Sequence, residues 1–174
     1  MLSRRDALTV AERAAASTAI AVRANDALAE VTVVALYAAK GSEVTTAELD
    51  AALRQRGVRV VYPRIVGERA LTFHAVTPAE MIEARFGIRE PSEGAPGVDI
   101  AAIGAFVVPG VAFDRTGARL GWGRGYYDAT LVAAPGALRV GLAFECQMLD
   151  AIAHEPHDIT MNVIVTEVAT HVVA

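Results

Sequence analysis

The sequence predicts a three-layer αβα fold, a single domain over residues 1–174 built on a mostly parallel sheet. Short apolar, β-branched runs such as "VTVVALY" (31–37) and "AFVVP" (105–109) are polar at most once, as strands covered on both faces are. Helix-capping signals fall between such runs, and strands alternating with helices imply right-handed crossovers with helices on both faces. At 174 residues the chain is long enough to remove about 70% of its unfolded surface from water.

The elements follow in order. Thr9-x-x-Glu12 is a capping box that opens a long alanine-rich helix to about Glu30. The strand 31–37 comes next. A second capping box, Thr45-x-x-Glu48, starts a helix through Gln55 that Gly57 terminates. "VRVVYP" (58–63) and "ALTFHAV" (70–76) are strands, and Thr77-Pro78-x-Glu80 combines an N-cap, an N1 proline and a capping glutamate. Residues 84–99 are rich in Gly, Pro and charge and read as loop. The strand 105–109 runs into "RLGWGRGYYD" (119–128), followed by a short helix from about Tyr126 and the strands "RVGLAF" (139–144) and "NVIVT" (162–166). In such folds ligands bind beyond the C-terminal ends of the strands, so the loops after 31–37, 105–109 and 139–144 are expected to share one rim.

Composition narrows the function. Hydrophobic residues make up 53% and charged residues 21%, a globular balance, and the net charge of −4 argues against nucleic acid as a partner. Between Arg115 and Tyr127, however, three arginines stand without an acid, which suits a small anionic ligand. The lone Cys146 excludes an internal disulfide and multi-cysteine metal sites and fits a reducing cytoplasm. "MLSRRDALTV" has no apolar h-region, and no long uncharged apolar window occurs, so neither a secretory signal nor a membrane partner is expected.

The glycine-rich stretch carries the chemistry. Gly121, Gly123 and Gly125 allow positive φ and close approach of backbone to a ligand. A loop of this kind running into a helix presents N–H groups to an anion, and Arg119 and Arg124 add fork-shaped, charge-assisted donors for phosphate oxygens. The spacing is neither G-x-G-x-x-G nor that of a P-loop. A flexible surface turn accounts for the glycines alone, but not for two arginines, a Tyr-Tyr-Asp exit and a buried strand feeding the loop.

"VVPGVAFDRTGARLGWGRGYYDATL" (107–131) closely resembles the signature segment of 5-formyltetrahydrofolate cyclo-ligases, also called methenyltetrahydrofolate synthetases. "YAAKGSEVTT" (37–46), "VVYPR" (60–64), "REP" (89–91), "FECQ" (144–147) and "HEPHDITMNVIVT" (154–166) fall in that family's order. The resemblance implies conversion of 5-formyltetrahydrofolate to 5,10-methenyltetrahydrofolate with ATP as substrate and Mg²⁺ as cofactor. It assigns ATP binding to Arg119, Gly121, Gly123, Arg124, Gly125 and Tyr127, and catalysis to Arg119, Arg124 and Tyr126. Glu43, Phe86 and Tyr126 would bind the reduced folate, and Asp128 and Asp158 would hold Mg²⁺. The expected partners are therefore small molecules, with the chain a monomer or a small homo-oligomer.

Two departures stand out. Family members usually begin with a lysine and, a few residues on, an arginine that help bind ATP; the lysine has no counterpart here, and Arg4 or Arg5 is the candidate substitute. Arg124 stands where lysine is common, keeping the charge with a different geometry. The first departure motivates an alternative, a folate- or nucleotide-binding relative with reduced or no turnover. A third possibility, an enzyme of similar fold acting on another anionic metabolite, is disfavoured by Glu43 and Tyr126, which lie on the folate side. His154 and His157 are separated by Pro156 and have no further His or Cys nearby, so they do not suggest zinc.

Overall fold

The computed structural model describes residues 2–84, 87–153 and 158–173; Phe86, His154 and His157 lie outside them. The chain opens with α1 (Leu2–Asp6) and α2 (Val10–Ala27), whose N-terminus is closed by the expected box: Glu12 N–H donates to Thr9 Oγ1 and Thr9 N–H to Glu12 Oε2. β1 (Val33–Ala35) and α3 (Ala47–Gln55) follow. The second box does not form. Thr46, not Thr45, is the N-cap; its hydroxyl donates to the Tyr37 carbonyl at 2.9 Å, while Glu48 accepts from Thr18 of α2 at 2.9 Å. A tertiary contact between helices thus replaces the local cap. Gly57, at φ +78°, ends α3 with Gly57 N–H on Arg54 O and Val58 N–H on Leu53 O, a Schellman closure.

β2 (Arg59–Val66) and β3 (Ala70–His74) form an antiparallel hairpin, and Thr77–Glu80 makes a single 3-10 turn. The 84–99 region holds two edge pieces, β5 (Arg89–Glu90), paired with β4 (Ile82–Glu83), and β6 (Gly97–Val98), paired with β3. β7 (Ala105–Pro109) lies where the buried run predicted it. β8 (Ala112–Asp114) and β9 (Arg119–Leu120) then turn the start of the glycine-rich segment into a hairpin. α4 (Tyr126–Val132), β10 (Leu138–Leu142), β11 (Met148–Leu149), β12 (Val163–Val165) and β13 (Thr170–Val172) complete the chain.

The main sheet has eight strands in the order β13-β12-β10-β7-β1-β2-β3-β6, and its five central strands are parallel. Alternate residues feed two cores. Val34, Val60, Val107 and Val140 pack with Ile20, Leu49 and Leu53 of α2 and α3; Ala35, Val61, Phe106 and Val108 pack with Leu131 of α4 and Phe113 of β8. Burial on both faces explains why these strands read as unbroken apolar runs. From β1 the chain moves through α3 to β2 on one side; from β7 it moves through α4 to β10 on the other. β1 and β7 are neighbours, so the crevice beyond their C-terminal ends is the point where the winding reverses.

Candidate active site

A cleft of about 930 Å³ opens at that reversal, large for a single small ligand. Its walls come from the loop after β1, the β2–β3 hairpin and the segment from β9 into α4. Of the residues singled out in the sequence, Arg5, Glu43, Arg119, Gly121, Gly123, Arg124, Gly125, Tyr126, Tyr127, Asp128 and Asp158 line it. Arg4 is exposed and not part of the lining, so of the two N-terminal arginines Arg5 faces the cleft. Among the described residues, the lining has six cationic side chains and five carboxylates, whereas the whole chain has 16 basic and 20 acidic residues. The cleft is therefore the relatively cationic part of an acidic protein.

The β8–β9 hairpin places Arg119, and Asp114 shapes the hairpin. Buried Asp114 accepts through Oδ1 from the Thr116 N–H at 2.8 Å, the Thr116 hydroxyl at 2.6 Å and the Ala118 N–H at 3.1 Å, and through Oδ2 from the Ile152 N–H at 2.7 Å. Burial opposes ionisation of this carboxyl, but these hydrogen bonds together outweigh it and hold the group below its ordinary value. At the hairpin tip Gly117 has φ +85°, and a Cβ there would meet the Met161 carbonyl at 2.5 Å; only glycine lets the tip dock on that backbone.

Arg119 is enclosed. Its side chain is 7% exposed, and Nη2 donates to both Asp128 oxygens at 2.9 and 3.0 Å. Its guanidinium lies 5.9 Å from the centre of the Tyr127 ring. A Cβ on Gly121 would come within 2.6 Å of Nη1, so this glycine serves close approach rather than positive φ. Gly123 (φ +74°) and Gly125 (φ +67°) do adopt the left-handed region, and Gly125 caps α4. Desolvation and then the Glu43 charge push the Tyr127 phenol upward, so it remains a neutral donor.

On the facing wall, Glu43 Oε2 accepts from the Lys40 N–H at 2.8 Å and Oε1 from Trp122 Nε1 at 3.4 Å. Buried Arg5 donates through Nε to Ser42 Oγ at 2.9 Å, and Ser42 donates to Asp6. The loop after β10 joins the rim through Gln147, whose amide donates to the Gly110 and Val111 carbonyls at 3.0 Å each. The three loops expected to share a rim therefore meet there. Lys40 and Tyr37 line the cleft as well; they fall within the family-like segment 37–46 but were not singled out in it.

The match to known proteins covers this whole arrangement. The model of the 5-formyltetrahydrofolate cyclo-ligase family matches residues 1–167. The chain belongs to that family. The 5-formyltetrahydrofolate cyclo-ligase of Mycolicibacterium smegmatis is 36% identical over 140 residues, covering 76% of this chain and 72% of the relative. The enzyme of the same name from Saccharomyces cerevisiae is 34% identical over 148 residues, covering 71% and 69%. The NMR structure of Aquifex aeolicus 5,10-methenyltetrahydrofolate synthetase superposes with a TM-score of 0.85 at 30% identity, covering 98% of this chain and 88% of that one. The cyclo-ligase family is a ligase family, and its fold is the α/β architecture described above.

Proposed function

We propose that the cleft converts 5-formyltetrahydrofolate and ATP to 5,10-methenyltetrahydrofolate, ADP and phosphate. The observation that carries this reading is one cleft, at the winding reversal, lined by Arg119 and Arg124 of the glycine-rich segment together with Glu43 of the loop after β1. The formyl oxygen is a poor leaving group. It attacks the γ-phosphorus, the bond to ADP breaks, and the folate becomes an N5-iminium phosphate. N10 then adds to the formyl carbon and loses its proton, and phosphate leaves with the original formyl oxygen.

The protein's task is positioning and neutralising charge. Arg124, on the exposed part of the glycine loop, reaches phosphate oxygens, and Gly123 and Gly125 let the backbone approach them. Arg119 holds Asp128 and adds positive charge beneath the loop. Glu43 takes the paired N–H donors of the pterin, and Tyr126, at the start of α4, contributes an aromatic face to the folate pocket. Arg5 supplies the N-terminal cation.

Asp128, whose side chain is 33% exposed, and Asp158 bring hard carboxylate oxygens to the lining. No cluster of three or more metal-binding side chains occurs among the described residues, and two carboxylates completed by phosphates and waters is how Mg²⁺ is commonly held. The donor set therefore fits Mg²⁺, which would neutralise phosphate charge when bound. The lone Cys146, half-buried and raised by desolvation and the Glu167 charge, suits a reducing cytoplasmic setting.

Purified protein given 5-formyltetrahydrofolate, ATP and Mg²⁺ is expected to generate the near-ultraviolet absorbance of the methenyl product. Absence of product with both ligands bound would instead favour a binding relative without turnover.

A further inference from the structure

The glycine loop reaches across the cleft. Trp122 is 57% exposed, yet its indole N–H donates to Glu43 Oε1 at 3.4 Å and its ring lies 5.9 Å from the Arg5 guanidinium carbon. One side chain of the phosphate-binding loop thus touches the folate-side carboxylate and the N-terminal cation together.

The two Glu43 contacts differ in strength. Oε2 is held by the Lys40 N–H of its own loop at 2.8 Å. The indole contact to Oε1 is at the long end of the hydrogen-bonding range, so a donor of better geometry replaces it readily. Arg5 is 4% exposed, and its Nη1 is buried with no hydrogen-bond partner among the described residues. A buried donor left unpaired is costly, and an aromatic face only partly compensates the charge. Arg5 is therefore a covered cation with a donor still to satisfy.

We propose that Trp122 is a positioning residue that couples the two substrate sites. In the unliganded protein its indole clasps Glu43 and covers Arg5. When an N–H donor of the folate takes Glu43 Oε1, the indole is released and Arg5 is uncovered for the nucleotide phosphates. The proposal rests on the substrate reading above. Folate and nucleotide then strengthen each other's binding by the same factor, as linkage requires. A single long hydrogen bond and one cation–π contact to a largely exposed ring place that factor near the low end of typical couplings, about fivefold.

The test is calorimetric titration with the non-hydrolysable analogue AMP-PNP and Mg²⁺, with and without saturating 5-formyltetrahydrofolate. The wild-type protein is expected to bind the analogue about fivefold more tightly in the presence of folate. Trp122→Phe lacks the N–H, so nothing ties its ring to Glu43 and the ring is not held over Arg5. It should bind the analogue at the tighter level without folate, and folate should then add nothing. Because Trp122 is largely exposed, the variant is expected to keep the wild-type melting temperature. Equal coupling in the two proteins overturns the role of Trp122 alone. A wild-type protein that binds neither ligand overturns the substrate reading and the coupling with it.

Discussion

Arg119 and Arg124 stand five residues apart and carry the same charge, but their surroundings separate their roles. Arg119 is packed against Asp128, Tyr127 and the bare Cα of Gly121, whereas Arg124 is exposed at the cleft. In the proposed function Arg124 binds phosphate, and removing such a ligand deletes a charge-assisted hydrogen bond, a loss of about 2 kcal/mol. Arg124→Ala is therefore expected to lower kcat/KM for ATP about 30-fold while leaving KM for the folate near wild type, and Arg124→Lys should recover most of the loss because the charge remains. Steady-state kinetics with each substrate varied in turn would show this; a variant matching wild type across the ATP titration would remove Arg124 from the site. The sequence made both arginines equally plausible phosphate ligands. Their difference arises from the β8–β9 hairpin, which no local periodicity announces.

At the scale of the element, that hairpin depends on Asp114. Its four hydrogen bonds hold the turn and the Ile152 backbone, and its ionised form is favoured in the folded state. A depressed carboxyl contributes stability that is complete well above its ordinary value of 3.8 and lost as pH falls through the lower folded value. Urea unfolding between pH 7 and pH 3 should therefore show wild-type stability falling at the acid end, with a flatter curve for Asp114→Asn; parallel curves would show that Asp114 is not the titrating group. Some elements were readable because their signals are local: the Thr9–Glu12 box, the Gly57 stop and the apolar run 105–109 all lie where expected. Others were not. The N-cap of α3 moved by one residue because Thr18 captured Glu48, and three-residue β13 is ordered by pairing with β12 across a tight turn.

For the whole molecule, alternation of strands and helices was enough to expect a site at the strand C-termini, and the cleft at the reversal between β1 and β7 is lined by the described candidate residues except Arg4. Which N-terminal arginine faces the cleft was not legible, because α1 is oriented by packing against the 145–147 turn. In the proposed function a nucleotide and a folate meet in this one cleft, and the central claim is that the formyl oxygen itself accepts the phosphoryl group. The most direct measurement uses 5-formyltetrahydrofolate labelled with ¹⁸O in the formyl group, with ATP and Mg²⁺, and mass analysis of the released phosphate. One ¹⁸O atom should appear in each phosphate formed alongside the methenyl product. Product accompanied by unlabelled phosphate would contradict the account.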